Sequence, residues 1–385
     1  MRYLNAGESH GKGLMAVLEG VPAGLPLTAE VINHDLARRQ GGYGRGGRMR
    51  IEKDQVEFYC GVRKGKTLGN PLGLLVRNRD WENWQEIMAA EPGPPSEERV
   101  VTRPRPGHAD LVGAIKYGHR DIRNVLEKAS ARETAIRVAL GGVAKALLSQ
   151  FDMRVVSYTT RIGSVTIPPV DDPLVAYELA EQSQVRCPDP EANIKMIEQI
   201  QSAKRNGDSL GGVFEVVVTN PPIGLGSYAQ WDRRLSARLA MAAMSIQAMK
   251  GVEIGMGFET ACRLGSEVHD DIYPSEIKPG FARKTNHAGG LEGGMTNGQP
   301  IVVRVAMKPI ATLYQPKNSV DIQTKKPFEA TVERSDICTV PAAGVVGEAV
   351  IAYEMANAML EKFSGDSINE MKRNFDAYQE YVKNF

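Results

Sequence analysis

Apolar positions along this chain alternate in some stretches and return every three to four residues in others. These switches predict its elements. Residues 1–20 read as strand, Gly-rich turn, strand. A helix follows over about 29–40: Thr28 fits the N-cap, Arg38 and Arg39 suit the negative end of the helix dipole, and Gly41 ends it. Residues 51–62 and 69–78 alternate or run apolar as strands do. EPGPPSEE at 91–98 is a surface loop, and a long helix covers 131–150, opened by a capping box at Ser130-Ala-Arg-Glu133. Two polar, aromatic-poor helical stretches at 172–186 and 190–205 predict a peripheral helical insertion over about 164–209. A strand at 210–222 stops at Pro-Pro, and an apolar-faced helix at 232–250 ends at Gly251. The Gly-dense loop 286–300 leads into a strand at 301–307, and a last long helix runs from near Pro341 to about Lys362. Strands cluster on either side of helices without a regular βαβ alternation, so the fold class is α+β rather than doubly wound.

Bulk properties narrow the field. A chain of 385 residues with 42% hydrophobic and 24% charged residues has ordinary globular values. The net charge of +1 gives no global reason to expect nucleic acid or an anionic membrane. Cys60, Cys187, Cys262 and Cys338 form no CxxC pair, which argues against a zinc site or a disulfide framework; no metal is expected. No apolar stretch approaches the ~18 residues of a membrane span. Functional-looking sequence begins at Asn5, so a cytoplasmic location without a leader is expected.

Local charge is far from ordinary. Residues 38–50, RRQGGYGRGGRMR, hold five arginines and five glycines, with no acid between Asp35 and Glu52. Such a loop makes sense if an anion arrives, because guanidinium forks hold phosphate and carboxylate bidentately; a solvated basic loop or an RGG-like nucleic-acid segment are the other readings. Neither a Walker A motif nor a GxGxxG between strand and helix is present, so arginines and helix N-termini would have to hold phosphate. Ser130 caps one such terminus, and Arg132 beside it would be explained by a local anion. His10 and His108, two of six histidines, both sit next to glycines in arginine-associated segments and could move protons near neutrality. Asp336 follows Arg334-Ser335, as either an ion-pair partner or a base beside bound anions. The cation in Lys308-Pro309-Ile310-Ala311-Thr312, after a strand, has the same ambiguity.

Taken in order, GESHGKGL, RRQGGYGRGGRM, RPRPGHADL, KASARET, GGLEGGMTNGQPI, KPIAT and VERSD resemble the chorismate synthase family, nearly end to end. The resemblance implies a single domain over 1–385, a compact layered sandwich of antiparallel sheets around central helices, in a homotetramer. It implies a 1,4-anti elimination that turns 5-enolpyruvylshikimate 3-phosphate into chorismate and phosphate, in the shikimate pathway to aromatic amino acids. Reduced FMN is required although no net redox change occurs; NAD(P)H enters only if the protein reduces its own flavin. Matched positions for the substrate anions are Ser9, His10, Arg39, Arg45, Arg48, Arg105, Arg132 and Arg334. Those for the flavin are Lys128, Ala129, Ser130, Gln247, Ala248, Gly293, Lys308, Pro309, Ile310, Ala311, Thr312 and Arg334.

By the same resemblance His10 is the acid at the leaving phosphate, and His108 protonates or hydrogen-bonds the flavin near N1. Asp336 helps the flavin N5 region take the ring proton. A flavin-dependent oxidoreductase and an RNA-binding protein built on residues 38–50 are the competing readings.

Overall fold

The computed structural model describes residues 1–46, 52–93, 99–277, 280–332 and 335–385. Arg48 and Arg334, both expected site residues, lie outside the described residues, as does most of the 91–98 loop.

The fold is mixed α+β. The first sheet is antiparallel, in the order β1 (Arg2–Gly7), β2 (Gly13–Glu19), β4 (Leu72–Arg77), β3 (Val56–Cys60). Alternation does the work expected of it: Leu14, Ala16 and Leu18 point into the core while Met15 and Val17 face outward. The second sheet is also antiparallel, in the order β8 (Met249–Ile254), β9 (Ile301–Met307), β7 (Gly212–Thr219), β5 (Arg154–Ile162), β6 (Val165–Thr166).

Two helices join the sheets. The helix over Thr134–Ser149 packs on β2 and β4, and the helix over Val340–Phe363 packs on β5 and β7. They meet where a Cβ on Gly141 would stand 2.3 Å from that of Ala349, so only glycine permits the crossing. Val340–Phe363 is apolar almost all round because it is buried on nearly every side. The first helix, Ala29–Gln40, lies beside both. In chain order the longer helices are α1 (Ala29–Gln40), α2 (Asp110–Tyr117), α3 (Arg123–Ala129), α4 (Thr134–Ser149), α5 (Pro173–Gln182), α6 (Pro190–Arg205), α7 (Leu235–Met244), α8 (Val340–Phe363) and α9 (Ile368–Lys383). In the segment expected to be peripheral, α5 covers Val156, Tyr158 and Val217 on β5 and β7, and α6 sends Met196 and Ile200 into the main core.

Several elements differ from the sequence expectation. The helix expected over 232–250 stops at Met244, and Met249–Ile254 instead pairs with β9. After the helix ends at Met244, Ala248 turns the chain with a left-handed φ of +70°, and the free edge of β9 takes up residues 249–254. The helix expected to start at 131 is preceded by a single 3-10 turn at Ala131–Glu133. Ser130 Oγ accepts from Arg132 N, while the Glu133 carboxylate turns to Asn5 and Gln247 rather than closing a capping box. Helix α9 lies beyond the elements expected from the sequence, although Ser367 caps it through Glu370 N, and Ile368, Met371, Phe375 and Tyr378 pack its apolar stripe against the core.

Candidate active site

The turn bearing Ser9 and His10 is held by Asn78. Its Nδ2 donates to the carbonyls of Glu8 (3.0 Å), Ser9 (3.2 Å) and Gly11 (2.7 Å), while its Oδ1 accepts from Arg132 Nε (2.8 Å). Glu127, buried on α3, then fixes the histidine. One carboxylate oxygen lies 2.9 Å from His10 Nδ1 and the other accepts the His10 backbone N–H at 2.7 Å. A carboxylate only accepts, so Nδ1 donates and Nε2 is left as the ring's proton-exchanging atom. Trp84 stacks on the imidazole at 3.8 Å, with Arg99 over the indole. Ser9 Oγ reaches Ser130 Oγ at 3.2 Å.

A second dyad repeats this logic. His108 Nδ1 lies 2.5 Å from Asp110 Oδ1, at the first residue of α2. Arg105 Nη2 is 3.1 Å from the same nitrogen, but a guanidinium can only donate. The Asp110 carboxylate can only accept, so Nδ1 donates its N–H to Asp110 and again leaves Nε2, while Arg105 Nη2 donates to Asp110 Oδ1 at 3.3 Å. Burial alone would raise the Asp110 carboxyl, but His108 and Arg105 overcome it and hold it well below the usual carboxylate range. Arg105 also donates to Thr312 Oγ1 (2.8 Å), and Lys308 Nζ to the Gly107 carbonyl. Helices α2 and α3 carry the two acids and pack together through Ala114, Val125 and Leu126, so the dyads share one support.

The arginines meet acids rather than empty space. Arg132 Nη1 pairs with Asp54 at 2.6 Å, and Glu52 lies 3.8 Å from its Nη2. Arg39 donates to Thr134 Oγ1 (2.8 Å), the Ala131 carbonyl (3.0 Å) and Asp54 (3.4 Å). Arg45 pairs with Asp336 Oδ2 at 3.0 Å, and Gly46 N donates to Asp336 Oδ1 at 2.5 Å. Among the described arginines, Asp54 and Asp336 supply counter-charge to Arg39 and Arg45 from outside the 38–50 stretch, and Arg132 shares Asp54. The balance is still incomplete at Arg39. Burial, opposed by Asp54 and reinforced by Arg132 and Arg45, pulls its guanidinium down to about 9.

A third strand of contacts links the dyads. Glu133 accepts from Asn5 Nδ2 (2.6 Å) and Gln247 Nε2 (3.0 Å), and the Ala248 carbonyl accepts from Lys308 N (3.0 Å). Gln247 Oε1 is buried with no donor. Ser209 Oγ donates to the Ile310 carbonyl at 2.7 Å, Pro309 lies against Gly211, and Ala311 lies beside Gly107. Thus Ser9, His10, Arg39, Arg45, Arg105, His108, Ser130, Arg132, Gln247, Ala248, Asp336 and 308–312 form linked clusters. Lys128 is exposed on α3, and Ala129 is half-buried beside the α2–α3 contact. Gly293 stands apart, in the turn of the Leu291–Thr296 hairpin near Tyr228.

Sequence reasoning missed Glu127, Asp110, Asn78 and Trp84. Asp110 lies within RPRPGHADL and Glu127 immediately precedes KASARET, so both could have been read as partners for the histidines. Asn78 gives no local signal, because its three carbonyl partners come from residues 8–11.

A family model described as chorismate synthase matches residues 1–360. The chain belongs to the chorismate synthase family. It is 58% identical over 394 residues to chorismate synthase of Geobacter metallireducens, covering 100% of both chains. Against that of Geobacillus thermodenitrificans it is 59% identical over 391 residues, again with full coverage of both. A crystal structure of chorismate synthase superposes with a TM-score of 0.81 at 47% identity, over 100% of this chain and 98% of that one. The family's reaction is the 1,4-anti elimination of phosphate from 5-enolpyruvylshikimate 3-phosphate to give chorismate, and a member of it is a carbon–oxygen lyase.

Proposed function

We propose that the linked clusters around His10, His108 and Asp336 form the place where 5-enolpyruvylshikimate 3-phosphate is bound and loses phosphate beside reduced FMN. The observation that carries this is the pair of histidine–carboxylate dyads, both oriented to present Nε2. The donor set suits a flavin: Gln247 Oε1 is a buried acceptor without a donor, and a flavin ring carries an N–H that would satisfy it. Ser130, Gln247, Ala248 and 308–312 would hold the cofactor, with Lys128, Ala129, Gly293 and Arg334 as further contacts. When bound, reduced FMN supplies transient electron density to the cyclohexene ring.

The protein's own groups do the rest. His10, its protonated ring paired through Nδ1–H with Glu127, would deliver the Nε2 proton to the leaving phosphate oxygen and be left neutral, with Nδ1–H still on Glu127. His108 Nε2 holds a proton at the flavin N1 edge, kept in place by Asp110. Asp336, fixed by Gly46 N and Arg45, stands as the carboxylate toward which the ring proton moves. Arg39, Arg45, Arg48, Arg105, Arg132 and Arg334 gather two carboxylates and a phosphate, each buried charge needing its own fork. Arg39, short of counter-charge, gains most from an arriving anion.

We read the whole chain as one domain, a layered sandwich with α4 and α8 between the sheets, acting in a cytoplasmic homotetramer. No helix among the described residues is long and apolar enough to cross a membrane. The deciding experiment is anaerobic turnover of 5-enolpyruvylshikimate 3-phosphate with and without chemically reduced FMN. Phosphate and chorismate should appear together, only with reduced flavin, and without its stoichiometric oxidation. Flavin oxidised mole for mole would favour an oxidoreductase instead.

A further inference from the structure

Arg137 lies one helical turn beyond Glu133 on α4 and is only 9% exposed. Its Nη1 donates to the Ser245 carbonyl at 3.1 Å and its Nη2 to Ser245 Oγ at 2.6 Å. A guanidinium has five N–H donors in a rigid fork, so most of this one is unused. Nε is buried with no partner, and Arg137 forms no ion pair among the described residues. Arg39, Arg45, Arg105 and Arg132, by contrast, each reach a carboxylate. A buried cation without counter-charge is costly, and it calls for an anion.

The space beside it can take one. A cavity of about 220 Å³ is lined by Arg137 together with Tyr3, Leu140, Met241, Val350 and Tyr353. The two tyrosine rings meet edge to face at 5.0 Å. Glu354 also borders the cavity, but its carboxylate is held by Arg238 at 3.1 Å and leaves Arg137 unanswered. The lining shares no residue with the His10 and His108 clusters.

We propose that this cavity binds a small organic monocarboxylate with an apolar body, its carboxylate seated on the Arg137 guanidinium. A single guanidinium is the only cation in the lining, so a monoanion is neutralised and a phosphate dianion is not. The aliphatic and aromatic walls suit a hydrocarbon body, and cavities of about 150 Å³ already accept benzene. The guanidinium supplies direction, because its N–H donors beyond the two given to Ser245 can meet a carboxylate.

Crystals of the full chain soaked in 4-bromobenzoate should show an anomalous bromine peak in this cavity, with the carboxylate against Arg137. Calorimetric titration in solution should give an affinity that falls about tenfold or more in Arg137→Met, the loss of one charged contact. Ala242→Leu, which narrows the cavity and keeps the cation, should also lose binding, and it preserves the test if Arg137→Met does not fold. Inorganic phosphate should bind no differently to wild type and Arg137→Met. Bromine found elsewhere, or unchanged affinity in both variants, would overturn the proposal. So would binding in the crystal without heat in solution, phosphate binding that depends on residue 137, or a carboxylate of a second copy already seated on Arg137.

Discussion

Arg38 and Arg39 are neighbours on α1 and finish in opposite electrostatic settings. Arg38 enters a buried network in which Arg38, Lys145 and Arg186 face Asp35, Glu181 and Glu348. Burial would lower its guanidinium, but Glu348, Glu181 and Asp35 overcome this and push it up. Arg39 enters the floor of the candidate site, where burial and two neighbouring arginines outweigh Asp54 and pull it down to about 9. Both side chains are almost completely buried, so depth does not separate them. The supply of anions does: the first network is complete within the chain, and the second, on the proposed function, is completed by an anionic ligand. The first therefore belongs to stability and the second to function.

The widest break in this comparison sets Glu348→Ala against His10→Ala. Removing Glu348 leaves three buried cations facing only Asp35 and Glu181 and should lower unfolding free energy by about 3–5 kcal/mol. Urea denaturation would measure it, with little change in turnover per folded molecule. His10→Ala should lower turnover by roughly 10²–10⁴-fold while the urea midpoint stays near wild type. If both variants lost stability and activity alike, the division between the networks would fail.

The sharper version uses adjacent residues. Arg38→Met should destabilise by about 3–5 kcal/mol, since Glu348 loses a bidentate partner inside the core. Arg39→Met removes a crowded cation and leaves Asp54 paired with Arg132. Its stability should change by no more than about 1 kcal/mol, while kcat/KM falls on the order of 10²-fold. Equal destabilisation by the two variants would place Arg39 with the structural network.

Acid should separate the networks too. Burial would raise Glu348, but Lys145 and Arg38 outweigh it and hold it near about 2; Asp35 is likewise held below its ordinary range by Lys145, against the effect of burial. A carboxyl depressed by folding contributes stability that is fully present above its unfolded pKa of about 4 and is lost as pH falls toward the folded value. The melting temperature should therefore drop between about pH 4 and pH 2, and Glu348→Gln should flatten that part of the curve. An unchanged slope in the variant would assign the acid sensitivity to other groups.

How much of this could be read in the sequence differs between the same two regions. The motif residues were legible because their chemistry is local: Gly7 and Gly11 bracket Glu8, Ser9 and His10, and Arg-Pro repeats deliver Arg105 and His108. The α1 boundaries followed from Thr28 and Gly41, and β9 from its alternation. Partners distant in sequence were not legible. Nothing near Glu348 announces Arg38, 310 residues away, and nothing near Arg132 announces Asp54. The misread helix over 232–250 has the same cause: pairing with β9 decides residues 249–254, and no local pattern carries that.

The smallest expected effect asks the most of the dyads. Glu127 uses both oxygens on His10, one for Nδ1–H and one for the backbone N–H. Glu127→Gln keeps the shape but supplies only one accepting oxygen. If the amide oxygen faces the backbone, the amide N–H₂ faces the ring, and the ring proton must move from Nδ1 to Nε2. If it faces the ring, the tautomer survives and a backbone donor is left opposing an amide donor. Either outcome should slow turnover about ten- to a hundredfold, or roughly 1.4–2.8 kcal/mol, less than loss of the imidazole itself. The ¹⁵N shifts of the His10 ring distinguish the two outcomes, and Glu127→Asp should recover part of the rate because it keeps two accepting oxygens. A wild-type rate in Glu127→Gln would mean that the carboxylate holds the loop and has no part in directing the proton to Nε2.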